Sequence, residues 1–389
     1  MRITVIIASY ISLLSFYSYS QDTVSVDKKS ALTFNTNLVG DFARNIRGGI
    51  KQGATYIGLE SISLEFNTED AGWWKGGNIF IHGLNAHGNG PTQTLTGDLQ
   101  VLSNIEAGDY TGLYEYWYSQ TFGNLTLLFG QHDLNSEFAG TKYGGTFINS
   151  SFGIIPNISL NIPVSIYPVA APCIMLKYTT PKFELKYAIY DGDPGNFETN
   201  RYNLTWSISS KQGFFSISEL QFNNLVNNRV SGIYRLGTYC HTGSFHNYAN
   251  QAKPTTGNYG VYIIADQALF SKSLHSGRGL CFFVQTGITP KNINRVYYYF
   301  GGGLRYHGIL PNRFYDEIGL AFAHISLSNP YLNNNPTSLK TETTVELTYN
   351  FKFNQRYSIQ PNMQYIINPG AIQGIKNCLI GIIRFAIEY

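Results

Sequence analysis

Polar and apolar side chains take turns along most of this chain, and a period of two puts successive side chains on opposite faces of a β-strand. Ser61-Ile62-Ser63-Leu64-Glu65-Phe66 and Glu346-Leu347-Thr348-Tyr349 show the alternation plainly. Such segments run over Tyr56 to Phe66, Asn78 to Leu84, Tyr114 to Tyr118, Leu125 to Phe129, Cys173 to Thr179, Phe183 to Tyr190, Leu204 to Ile208 and Phe214 to Phe222. They continue over Gly232 to Tyr239, Gly260 to Leu269, Leu280 to Gly287, Tyr298 to Tyr306, Tyr315 to His324, Thr344 to Phe353, Arg356 to Ile366 and Ile375 to Glu388. Polar turn clusters separate them, and no stretch carries a convincing amphipathic helical period. The pattern predicts an all-β chain: a transmembrane antiparallel β-barrel of about 16 strands. The final strand puts Ile383, Phe385, Ile387 and Tyr389 on one face and Arg384 and Glu388 on the other. Pairing it back to the first strand leaves no open edge, as a bilayer demands of any strand-built spanning structure.

One gap breaks the rhythm. About forty residues rich in Asn, Ser, Gly and Pro separate the strand ending at Gly130 from the one beginning near Cys173, and so long a connection in a compact domain is usually functional. It contains Phe138, Tyr143, Phe147, Phe152 and Tyr167, more aromatics than a solvated linker carries. Such a segment needs a surface to pack on, and the lumen offers one. The expectation is an inward-folded constriction loop; the competing placement is an external loop over the barrel mouth.

Composition agrees with a barrel. Hydrophobic residues make up 43% and aromatics 15%, with 29 Tyr and 39 Gly, while the mean hydropathy is −0.13. That is too polar for a helical membrane protein and unlike a typical soluble enzyme. Charged residues are 13% and the net charge is +3, which argues against a nucleic-acid partner. Met1-Arg2, the apolar run from Val5 to Phe16 and Ser18-Tyr19-Ser20 read as a secretory signal peptide over 1–20. The expected division is then a lead-in segment over 21–40 and the barrel over 41–389.

Several blocks in order resemble the carbohydrate-selective porins of the OprB type. They are Gly97-Asp98-Leu99-Gln100 with Ser103-Asn104-Ile105-Glu106-Ala107, Leu113 to Tyr118, Phe129 to Phe138, Phe147 to Gly153, Tyr190-Asp191-Gly192-Asp193-Pro194-Gly195, and Gln360 to Gly370. The resemblance implies a passive channel in the outer membrane of a Gram-negative bacterium, with carbohydrate solutes and outer-membrane lipid as partners. It implies neither a cofactor nor a catalytic residue, and it leaves monomer and homotrimer open. Sugars present hydroxyls at their edges and apolar C–H faces, so a selective path needs hydrogen-bonding groups beside aromatic platforms. The candidate constriction residues are Asp133, Asn135, Glu137, Asn149 and Ser150 as polar contacts and Phe138, Phe147 and Phe152 as platforms. Arg235, Arg305 and Arg313 are candidates to oppose the loop carboxylates and set a transverse field.

Other chemistry finds little support. The eight His residues have no metal-ligand spacing, and Asp191-Gly192-Asp193 lacks the further ligands of a calcium loop. Cys173, Cys240, Cys281 and Cys378 show no C-x-x-C spacing. The alternative to a channel is a barrel with a blocked lumen whose loops bind a partner or hydrolyse a substrate, for which His241 and Ser244 are the nearest candidates.

Overall fold

The computed structural model describes residues 30–195, 197–226, 229–271 and 278–389; the expected signal segment lies outside them. The described residues form sixteen strands: β1 Leu32–Gly49, β2 Gly53–Asn67, β3 Gly77–Gly88, β4 Tyr110–Phe122, β5 Leu125–His132, β6 Ala171–Thr179, β7 Phe183–Asp191 and β8 Phe214–Val226, then β9 Arg229–Phe245, β10 Thr255–Ser271, β11 Gly279–Ile288, β12 Val296–His307, β13 Glu317–Leu327, β14 Thr341–Lys352, β15 Tyr357–Ile367 and β16 Lys376–Glu388. Each pairs antiparallel with its neighbours, and β1 pairs with β16, so the sheet closes into a barrel. Closure reaches the last residue: Tyr389 and Thr36 exchange both backbone hydrogen bonds at 2.8 Å. The longest α-helix among the described residues is Asn329–Asn334, and none is long and apolar enough to cross a membrane.

The period of two sorts side chains as a bilayer requires. Ile62, Ile174, Leu176, Leu185, Ile189, Leu347, Met363 and Ile383 are exposed on the outer face. Glu219, Asp266, Glu342, Glu346, Gln360 and Gln364 occupy the alternate, buried positions. Hydrocarbon satisfies no polar group, so the polar set must turn inward. At the β1–β16 seam Gly40 is required by contact: a Cβ there would meet the Phe385 ring at 2.2 Å. Connections alternate in length between the two rims. One rim carries 89–109, 133–170, 192–213 and 328–340; the other carries turns such as 123–124, 180–182 and 353–356. In barrels of this kind the long connections face the cell exterior.

Two readings of the pattern need correction. Leu204 to Ile208 is not a strand; it lies in the connection between β7 and β8 and pairs in no sheet. Alternation records a segment with one apolar face and not its pairing in a sheet. Conversely, β1 went unrecognised among the alternating segments because Thr36 and Gly40 interrupt its apolar face at alternate positions.

Candidate functional site

Inward carboxylates receive the backbone of two of the long connections, 133–170 and 89–109. The 133–170 segment starts where the Asp133 N–H donates to Glu115 Oε1 of β4 at 2.9 Å. The Ala139 N–H donates to Glu219 of β8 at 3.0 Å. Asp266 of β10 accepts from the Thr141 hydroxyl at 2.8 Å and from the Lys142 and Tyr143 N–H groups at 3.0 Å. Further round, the Thr146 hydroxyl donates to Glu317 of β13, and the Ile148 and Asn149 N–H groups donate to Glu346 of β14. The segment returns past β12, where Tyr299 OH donates to Ser151 O at 2.8 Å, and past β9, where Tyr239 OH donates to Asn157 O at 3.2 Å. Asn, Ser, Thr and Gly suit this path because it offers few regular backbone partners; Asp133 and Asn149 cap the short turns that follow them, accepting from Asn135 N and Ser151 N. The earlier connection, 89–109, uses the same device: Leu99 and Gln100 N–H groups donate to Glu342 of β14.

Apolar side chains complete the anchoring. Phe138, Phe147 and Phe152 pack with inward residues of β6 to β13, among them Met175, Ile217, Tyr262 and Phe283, in one buried cluster. Phe147 and Phe152 both meet the Phe283 ring, at 5.6 and 5.8 Å between centroids. With 0% and 2% of their surface accessible, Phe138 and Phe147 hold the segment to the wall and have no face left for a solute. Asn149, at 1%, is likewise spent, its amide donating to Gln364 of β15 at 3.1 Å.

Two cavities meet at residues 132–137. The first, about 330 Å³, lies between the two connections and is lined by Gln100, Asn104, Glu106, Asp133, Asn135, Ser150, Leu160 and Tyr167, among others. The second, about 540 Å³, is lined by Asn78, Phe80, Glu115, Trp117, Ser119, His132, Ser136, Glu137 and Lys177, among others. The candidates Asp133, Asn135 and Ser150 therefore belong to one and Glu137 to the other. Asn135 gives its amide hydrogens to Phe138 O and Gly153 O, which leaves its carbonyl for the cavity. Burial pushes the Asp133 carboxyl up to about 7, with the Glu115 charge adding to it. Burial does the same to Glu106, up to about 7, partly opposed by its bonds from Thr92, with Asp98 adding a like charge.

Basic side chains around the lumen each stand beside a carboxylate. Glu137 pairs with Lys177 at 2.6 Å and lies 4.0 Å from Lys186, both on inward positions of the nearest strands. Arg235 pairs with Asp266 at 2.7 Å, Arg305 with Glu317, and Arg313 with Asp316 at 2.9 Å. Sequence reasoning also passed over Glu106, Asn104, Phe80 and Trp117. The last two stack at 5.0 Å between centroids; an aromatic at a polar-parity position of its strand was the signal available for them.

Comparison with known proteins converges on one group. A family model described as carbohydrate-selective porin, OprB family, matches residues 51–389. Porin B of Pseudomonas aeruginosa is 25% identical over 399 aligned residues, covering 90% of this chain and 86% of that protein. The putative porin QuiX of Acinetobacter baylyi is 20% identical, covering 91% of this chain and 88% of its own. Among solved structures, OprB of Pseudomonas putida at high pH superposes with a TM-score of 0.83 at 23% identity, over 93% of this chain and 95% of that one. At that identity the likeness is one of fold.

Proposed function

The chain belongs to the carbohydrate-selective porin family of the OprB type, and from that premise we propose that it is an outer-membrane channel through which mono- and small oligosaccharides diffuse passively past a constriction built by 133–170 and 89–109. The observation that carries this reading is the pair of cavities sharing the 132–137 segment as their common wall. The first presents carboxylates, the Asn135 carbonyl and the Ser150 hydroxyl; the second presents the stacked Phe80 and Trp117 rings beside Glu115 and His132. Sugar hydroxyls pair with the polar set and C–H faces with the rings, and a shallow, multi-point site lets a solute leave as readily as it enters.

Of the candidates, Asp133, Asn135, Glu137 and Ser150 act in this reading as solute contacts, joined by Asn104, Glu106 and Trp117. Phe138, Phe147, Asn149 and Arg305 act at one remove, by holding the loop in place. Planar-bilayer recording tests the proposal: discrete current steps that a monosaccharide reduces in a concentration-dependent way support it, and steps indifferent to every sugar tried refute carbohydrate selectivity.

A further inference from the structure

The connection between β7 and β8 sends a strap over the outside of the barrel. It is tethered by Gln131, whose position on β5 shares the outward parity of Leu127 and Phe129. The Gln131 amide donates to Tyr114 O at 2.9 Å and to Asn203 O at 3.3 Å, and its carbonyl accepts from Trp206 Nε1 at 3.1 Å. The Leu113 N–H donates to Tyr202 O at 3.0 Å, and the Trp206 ring stacks on Tyr116 with an interplanar angle of 9°. Between strap and wall lies a crevice of about 590 Å³, lined on the wall side by Ile174, Leu176, Tyr187 and Ile189 and on the strap side by Trp206 and Ile208.

Its chemistry is one-sided. The polar groups of Gln131 and the indole N–H are used up in the tethers. Asp191, which also borders the crevice, accepts from the N–H of Gly192 at 2.9 Å. Beyond Asp191 and the Tyr187 hydroxyl, the lining offers ordered water few of the two to four partners it needs. A peptide segment would bring a run of backbone N–H and C=O groups, most of which this apolar lining would leave unpaired. A hydrocarbon chain brings neither, and the wall side of the crevice is continuous with the outward face that the barrel already presents to lipid.

We propose that this crevice binds one acyl chain of an outer-membrane lipid, clasped between strap and wall and so distinguished from the lipids that merely coat the barrel. The proposal rests on the membrane-embedded barrel and not on the sugar pathway, so either can fail without the other. It also gives a role to the alternation of Leu204, Trp206 and Ile208, whose apolar side chains have no strand to serve.

Trp206 is its own reporter. In a variant with Trp73, Trp74 and Trp117 replaced by Phe, Trp206 is the only tryptophan. Reconstituted in phosphatidylcholine vesicles of rising brominated-acyl content, its fluorescence is expected to fall several-fold and to follow the brominated fraction as a single site. A reference tryptophan on the open wall, Leu347→Trp in a background with Trp206→Phe, is expected to show the steeper dependence of a residue touched by several exchanging lipids. Ile208→Asn, which puts an amide into the crevice, is expected to lose the single-site behaviour. Absence of quenching at Trp206, or a dependence equal to that of the open-wall tryptophan, overturns the proposal. If the triple replacement does not assemble, the same titration on the native protein and on Trp206→Phe, compared by difference, decides between the same outcomes.

Discussion

Asp133 and Glu106 line the same cavity, and burial raises both carboxyls to about 7 from ordinary values of 3.8 and 4.5. A raised carboxyl is neutral below that value and negative above it, so the first cavity gains negative charge as pH climbs through about 7. Cation preference of the open channel is therefore expected to fall as pH is lowered across that value, and reversal potentials in a salt gradient measure it; a preference constant from pH 8 to pH 5 would contradict the assignment. Glu137 behaves otherwise because Lys177 and Lys186 sit beside it. Glu137→Gln leaves two cations with one partner fewer and is expected to shift selectivity toward anions. Trp117→Ala removes one of the two rings that face the second cavity and is expected to weaken sugar block in the same recordings. Residue types were legible in the sequence here, and orientation was not. Asp133, Asn135 and Glu137 stood out as polar loop residues, but which cavity each faces depends on the turns they cap. Phe138 and Phe147 stood out as aromatics, yet the apolar inner surface of β6 to β13 that absorbs them is assembled from strands far apart in sequence.

At the scale of elements, the 133–170 segment is held by a series of inward carboxylates, and Asp266 is the most heavily used of them. It accepts three bonds from the segment and pairs with Arg235. Asp266→Ala frees that stretch and leaves Arg235 without its 2.7 Å partner, a loss of about 3 kcal/mol for a pair removed from solvent. The expected outcome is a lower midpoint in heat-modifiable gel migration, together with noisier single-channel current. Deleting Phe138 to Phe152 is expected to raise conductance and abolish sugar block; unchanged values would place the constriction among strand residues instead. A strand with an unbroken outward apolar face, such as β15, was legible because lipid on one side and polar neighbours on the other impose a strict period. β1 was not, since Thr36 and Gly40 dilute its outer face and Gly40 serves the Phe385 ring rather than the bilayer. The 204–208 strap carries the same period without a sheet, because it too has one apolar face, turned on the outside of the wall.

For the whole molecule, closure of sixteen strands and the unequal rims follow from one demand: every backbone polar group at membrane depth must be paired within the protein. Strand number was readable to within about two because turns and alternation recur along the chain. The filling of the lumen was not, since it depends on which wall each connection meets after closure. Glu60 is an outward residue that departs from the rule by carrying a charge. Glu60 lies mid-strand on the exposed face of β2 with Ile62 and Leu64, opposite Leu38 of β1 and Asn85 of β3. Glu60→Leu is expected to raise the urea needed to unfold the reconstituted barrel, by roughly 1 kcal/mol of stability, because a carboxylate facing lipid costs somewhat less than the penalty of a basic residue there. The central claim, that solutes cross this barrel past a narrow polar and aromatic path, is tested most directly by liposome swelling with a graded series of uncharged sugars. The account predicts rapid swelling with monosaccharides, a steep fall from di- to trisaccharides, and faster monosaccharide entry than for a non-sugar solute of equal size. Swelling that tracks size alone, or no swelling with any sugar, would contradict it.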